Sequence, residues 1–210
     1  MSNNKNKSEN KTKILAIGDI HGDRSLVKKL SEKVIKENID LVIIVGDLTL
    51  AEMSIKNLIG PFTKAKKPVL IIPGNHETPE TIDLLTKTYN NLINIHGRYY
   101  IKNNLGFFGA GGGDVGIYVL KDEDVFELLK KGHEKIKNLE KKVMVTHMHP
   151  AGSKAEFSGF KGFKSIKKAI ESFKPDILLT AHIHEAGGIE EMIGKTKVIN
   201  VSRREKILEI

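Results

Sequence analysis

Five runs built mainly from Ile, Val and Leu set what this chain can fold into. They are KILAIGD (13–19), DLVIIVGD (40–47), PVLIIPGN (68–75), KVMVTH (142–147) and DILLTAH (176–182). Their apolar stretches do not alternate with polar residues. Continuous apolar runs of this length suit strands covered on both faces, as in parallel sheets whose strands are joined by helices. The intervening segments supply the helices. In RSLVKKLSEKVIKEN (24–38), Leu26, Leu30 and Val34 recur every fourth residue with Val27 beside them, giving one apolar stripe with lysines opposite. Residues 51–65, 79–90, 122–139 and 164–174 show similar helical patterns. Thr78 followed by Pro79 reads as a cap and first turn.

Strand–helix–strand alternation over the first 90 residues implies βαβ units and parallel pairing. Residues 91–113 and 187–210 then read as short strands, turns and hairpins, so further sheet is added to the α/β core. A chain of 210 residues suits one domain. That domain is expected over residues 13–210, after a flexible, polar, lysine-rich tail at 1–12.

Composition removes several function classes. There is no cysteine, which excludes disulfides and thiolate catalysis. No stretch of about 18 apolar residues exists to span a membrane, and the N-terminus lacks the apolar core of a secretory signal. A cytoplasmic location is the expectation. The formal net charge is +8, yet only four of the 34 basic residues are arginine, and the lysines fall mostly in pairs on helical stretches. Such pairs read as solvated faces that favour anionic substrates in general. Nucleic acid is the lesser reading, and the oligomeric state is left open.

The polar residues after each run carry the functional signal. The first run is followed by Asp19 and His21, the second by Asp47, the third by Asn75, His76 and Glu77. The fourth leads to His147 and His149, the fifth to His182 and His184. In open α/β sheets, ligands bind outside the carboxyl ends of the strands. Taken singly, each group reads as a turn or a solvated edge. All five arise in order, each directly after a buried strand, and they hold six of the eight histidines. Carboxylate, amide oxygen and imidazole suit divalent cations of hard or borderline character.

GDIHGD, VGDL, PGNHE, VTHMHP and AHIHEA resemble the five blocks of the calcineurin-like metallophosphoesterases, from about residue 13 to the C-terminus. The resemblance implies an α/β fold in four αββα layers, two mixed sheets packed face to face with helices outside. It also implies a hydrolase that uses two divalent metal ions. By position, Asp19, His21 and His184 resemble the ligands of one metal, and Asn75, His147 and His182 those of the other. Asp47 resembles the bridging carboxylate, and His76 the group that protonates the leaving oxygen. Ala181 departs from the glycine usual in the last block, and Asp23 stands where many relatives have asparagine. His149 is an extra histidine, and with Arg24 it is a candidate for substrate contact. The glycine-rich GAGGGDVG (109–116) is a further candidate.

Two cations about 3.5–4 Å apart neutralise phosphate charge and acidify a bridging water. The expected reaction is therefore hydrolysis of phosphomonoesters or small phosphodiesters by a metal-bridging hydroxide. Mn2+ is the first expectation for the metal, with Fe2+, Ni2+, Co2+ and Zn2+ as alternatives. Two other readings compete. A non-catalytic interaction scaffold of the same fold would show eroded ligand positions, and here every position is occupied. A nuclease usually carries added capping regions, for which this chain has no spare length. GDLTLAE also departs from the GDxxDRG block that protein Ser/Thr phosphatases resemble.

Overall fold

The computed structural model describes residues 11–210. Strands β1 (Lys13–Ile17), β2 (Leu41–Val45), β3 (Val69–Ile72) and β4 (Leu92–Asn94) pair in parallel. They are joined by α1 (Arg24–Lys36), α2 (Gly60–Thr63) and α3 (Pro79–Thr88). A second sheet contains β5 (Tyr99–Lys102), β6 (Leu105–Ala110), β7 (Lys141–Thr146), β8 (Ile177–Thr180), β9 (Glu190–Ile193) and β10 (Thr196–Asn200), in the order β5-β6-β7-β8-β10-β9. Its central strands are parallel, and its edge strands β5 and β9 are antiparallel to their neighbours. Helix α4 (Asp122–His133) connects β6 to β7, and α5 (Lys164–Phe173) connects β7 to β8. The chain then returns to the first sheet, where β11 (Lys206–Glu209) pairs antiparallel with β1. Both sheets are therefore mixed.

Three apolar layers explain the unbroken runs. Leu15, Ile17, Val42, Ile44 and Ile71 face Val27, Leu30, Phe62 and Ile82 of the first three helices. Their alternate neighbours Ile14, Ala16, Ile43, Val45 and Ile72 meet Phe107, Val143, Val145 and Leu179 between the sheets. Met144, Leu178 and Val198 pack on Leu129, Ile166 and Ile170 of α4 and α5. Successive side chains of the central strands thus enter opposite cores, and the layers stack helix, sheet, sheet, helix.

Local chemistry sets the helix starts. The Asp23 carboxylate accepts the Leu26 N–H at 2.9 Å and caps α1. Thr78 caps α3 by accepting the Thr81 N–H at 3.3 Å, with Pro79 in the first turn. The helix expected over 51–65 reduces to the four residues of α2. Pro61 lacks an N–H and disfavours helical backbone before it, while Ala51, Glu52 and Asn57 have positive φ. Helix α4 ends at His133, short of the expected 139. Residues 1–10 of the expected tail lie outside the described residues. Thr12 is buried and exchanges backbone hydrogen bonds with Ile210 at 2.8 and 3.1 Å. Among the described residues, no helix is long and apolar enough to cross a membrane.

Candidate metal centre

The polar residues that follow β1, β2, β3, β7 and β8 meet at one end of the two sheets. The backbone turns sharply to bring them there. Asp19, His21, Asp47 and His182 have φ of 53°, 47°, 50° and 70°. This left-handed conformation costs a non-glycine residue about 1 kcal/mol, and at these four residues it turns the backbone toward the site. The glycines of VGD and PGN serve close approach. A Cβ on Gly74 would lie 1.9 Å from Asp47 Oδ1, and one on Gly46 would lie 2.5 Å from His147 Nδ1.

The side chains form two sets with the Asp47 carboxylate between them. In the first, His21 Nε2 and His184 Nε2 are 3.1 Å apart, and Asp19 Oδ1 lies 3.8 and 3.7 Å from them. In the second, Asn75 Oδ1 lies 2.9 Å from His147 Nε2 and 3.1 Å from His182 Nδ1. Asp47 Oδ2 stands between the sets, 3.5 Å from His21 Nε2 and 3.5 Å from His147 Nε2. Asp19 with His21 and His184, His21 with Asp47 and His76, and Asp19 with Asp47 and His147 are each spaced to hold a cation. Asp19 Oδ1 is buried and has no hydrogen-bond partner. A buried, unpaired carboxylate oxygen facing imidazoles fits a divalent ion with mixed nitrogen and oxygen ligands.

The electrostatics agree with that fit. Burial raises the Asp47 pKa, but the adjacent His147 and the His76 N–H more than reverse this, and its carboxyl is held below the usual range. Burial lowers the pKa of His147, yet the Asp47 carboxylate outweighs it and the net shift is upward. A proton on His147 thus balances Asp47, and a bound cation would take the place of that proton. Burial, followed by the proximity of His147, lowers His182 to about 4. Its ring is therefore neutral and able to offer a lone pair near pH 7.

Neighbouring residues hold these groups in place. His147 donates its Nδ1–H to the Val45 carbonyl at 2.9 Å, which turns Nε2 toward Asp47 and Asn75. The Asp19 Oδ2 accepts the His182 N–H at 3.0 Å and the hydroxyl of Ser202. Glu77 is buried without exposed surface, and burial followed by the nearby Asp47 raises its pKa to about 7. Its carboxylate accepts the N–H groups of Leu48, Thr49 and Gly74 at 3.2, 3.0 and 2.9 Å.

His76 lies at the edge of the cluster. Its Nδ1 accepts the Ala51 N–H at 3.2 Å, so Nε2 carries the proton, 4.0 Å from Asp47 Oδ2. Arg24 is not brought into the cluster; its guanidinium reaches Ser54 Oγ at 3.4 Å. His149 follows the end of β7, is 1% exposed, and has no hydrogen-bond partner at either ring nitrogen. Sequence reasoning assigned no part to Ser202, and it reached Asp114 only as a member of the glycine-rich 109–116 segment. Asp114 Oδ1 lies 3.7 Å from His182 Nε2. The signal for Ser202 was present: KVINVS (197–202) is one more apolar strand that ends in a polar residue.

A four-layer α/β fold with histidines, carboxylates and an amide gathered at the strand ends defines the class of α/β metallohydrolases. The pattern of the calcineurin-like phosphoesterases matches residues 12–186, and the chain belongs to that family of metal-dependent hydrolases. Solved structures share the fold. The protein TT1561 of Thermus thermophilus is 18% identical, covers 90% of this chain with 88% of its own length, and superposes with a TM-score of 0.74. An archaeal phosphodiesterase is 17% identical over 95% of this chain and 99% of its own, with a TM-score of 0.55. A dimetal phosphatase from Danio rerio is 11% identical over 90% and 86%, with a TM-score of 0.58. No curated protein matches the chain.

Proposed function

We propose that this protein hydrolyses phosphomonoesters or small phosphodiesters at a centre of two divalent cations. The observation that carries the reading is the position of Asp47, whose Oδ2 is 3.5 Å from one imidazole of each set. A carboxylate so placed is suited to a shared ligand. Asp19, His21 and His184 would complete one shell, and Asn75, His147 and His182 the other. When bound, the two cations supply the neutralisation of phosphate charge and the acidification of the attacking water. Mn2+ is the first candidate, and Fe2+, Ni2+, Co2+ and Zn2+ suit the same donors.

The chain's own residues contribute orientation and proton transfer. The Val45 carbonyl holds His147 in the tautomer that presents Nε2. The Ala51 N–H does the converse for His76 by occupying Nδ1, so the transferable proton sits on Nε2. From there His76 delivers it to the departing ester oxygen. The test is prolonged chelation followed by titration with Mn2+, with p-nitrophenyl phosphate and bis(p-nitrophenyl) phosphate as substrates. Turnover should vanish and return as the metal content approaches two per chain. Undiminished turnover in verified metal-free protein rejects the reading.

A further inference from the structure

Two loops stand beside the metal centre. The first, residues 111–120, lies against Asn75, whose carbonyl accepts the N–H groups of Ile117 and Tyr118 at 2.8 and 3.2 Å. Gly116 comes so close that an added Cβ would lie 2.6 Å from that carbonyl oxygen. The second loop, residues 150–163, includes a short 3-10 turn, Lys154–Ser158, that packs on the turn starting at His184. Ala155, Ile183 and Ala186 form the contact. The loops are joined at their bases, where the Asp122 carboxylate accepts the N–H groups of Lys164 and Ser165 at 2.9 and 2.8 Å. Leu120 and Phe163 belong to one core.

Scattered exposed apolar residues are ordinary, but here they are concentrated. Of thirteen large apolar side chains exposed among the described residues, five lie on these two loops: Val115, Ile117, Val119, Phe157 and Phe160, at 47% to 63% exposure. Asp114 of one loop and the Phe160 carbonyl and Glu156 carboxylate of the other are polar neighbours of His149. That ring is buried beneath the loops.

We propose that the two loops form a subsite for the organic group of the substrate, and that this group is apolar: the ester is formed from an aliphatic alcohol or a phenol rather than a sugar. The inference rests on the hydrolase reading, since the occupant is what a phosphoryl group at the metal centre would carry outward. Apolar loop tips gain by removing such a group from water and gain nothing from a sugar hydroxyl.

The experiment measures calorimetric binding of methylphosphonate, hexylphosphonate and 1-naphthylmethylphosphonate to the Mn2+-loaded full chain. Hexyl or naphthyl should bind at least about tenfold tighter than methyl, and their ranking separates aliphatic from aromatic substrates. In Phe157→Ser/Phe160→Ser, and in Val115→Ser/Ile117→Ser as a second variant, the ratio to methyl should fall below about threefold. Because the substituted positions are exposed, a melting curve checks that both variants fold. Equal affinity for all three ligands in the wild type overturns the proposal. A dimer that the variants abolish, with equal ligand affinities, also overturns it and assigns the apolar tips to a second copy. Absence of turnover on the matching phosphates, with the affinity ratio intact, removes the hydrolase reading and leaves the subsite standing.

Discussion

Glu77 Oε2 accepts both the main-chain N–H and the hydroxyl of Thr49, each at 3.0 Å. Its other oxygen takes Leu48 N–H and Gly74 N–H at 3.2 and 2.9 Å. One buried carboxylate thus clamps the turn bearing Asp47 to the turn bearing Asn75 and His76. Glu77→Ala would leave these buried donors unpaired and should destabilise the fold by roughly 3 kcal/mol or more. Glu77→Gln would set an amide NH2 against N–H donors and should rescue little of that. Urea denaturation checks both variants; a loss under about 1 kcal/mol in Glu77→Ala removes the clamp.

Asp47→Asn should lower metal content below two per chain and cost more activity than His21→Ala. The asparagine keeps the shape but loses the charge that separates two cations. Metal analysis after gel filtration is the measurement. Two tightly held ions together with near-normal turnover would contradict the shared-ligand role.

His76→Asn should retain both metals and the fold while turnover falls by about 10²–10⁴-fold. The loss should be smallest for a nitrophenyl ester, whose leaving anion scarcely needs a proton, and largest for an alkyl ester. Rates for the two esters are to be compared in wild type and variant. Equal losses would make His76 a group that orients phosphate, and a missing metal would make it a ligand.

His96 tests pH dependence away from the metal centre. Its Nδ1 accepts the Gly111 N–H at 2.9 Å, so Nε2 holds the proton, 3.2 Å from Tyr118 Oη. Burial, then the nearby Arg98, lowers its pKa to about 4. An unfolded histidine titrates near 6.5, so the unfolded chain takes up the proton first on acidification. The contribution of His96 is therefore complete above about pH 6.5 and drains away as pH falls toward 4. Urea denaturation of the metal-free protein should show wild type losing on the order of 2 kcal/mol more than His96→Gln between pH 7 and 4.5. The same loss in both proteins would assign the acid sensitivity elsewhere.

Much of the fold was legible because its signals are local. Continuous Ile, Val and Leu marked strands with two covered faces, and fourfold spacing in residues 24–38 marked α1. The same local logic failed at 51–59. There the helical spacing is overridden by Pro61 and by the commitment of Glu52, whose carboxylate accepts the Thr78 N–H and hydroxyl at 2.8 and 2.9 Å. The hairpin expected over 187–210 is present as β9 and β10, but the return of β11 to β1 has no local mark.

By itself, the sequence determined which side chains stand at the strand ends, because a buried strand must stop where polar residues begin. Tertiary structure alone decided how they meet. The His182 N–H reaches Asp19 across 163 positions, and Ser202 reaches it across 183. Asp47 falls midway between two sets of imidazoles only because the sheets pack face to face with their strand ends aligned. The pairing of the loops over His149 likewise depends on Asp122 capping a helix 42 residues away. Such distances are set by register and packing between layers, and neither has a period that one strand or helix can display.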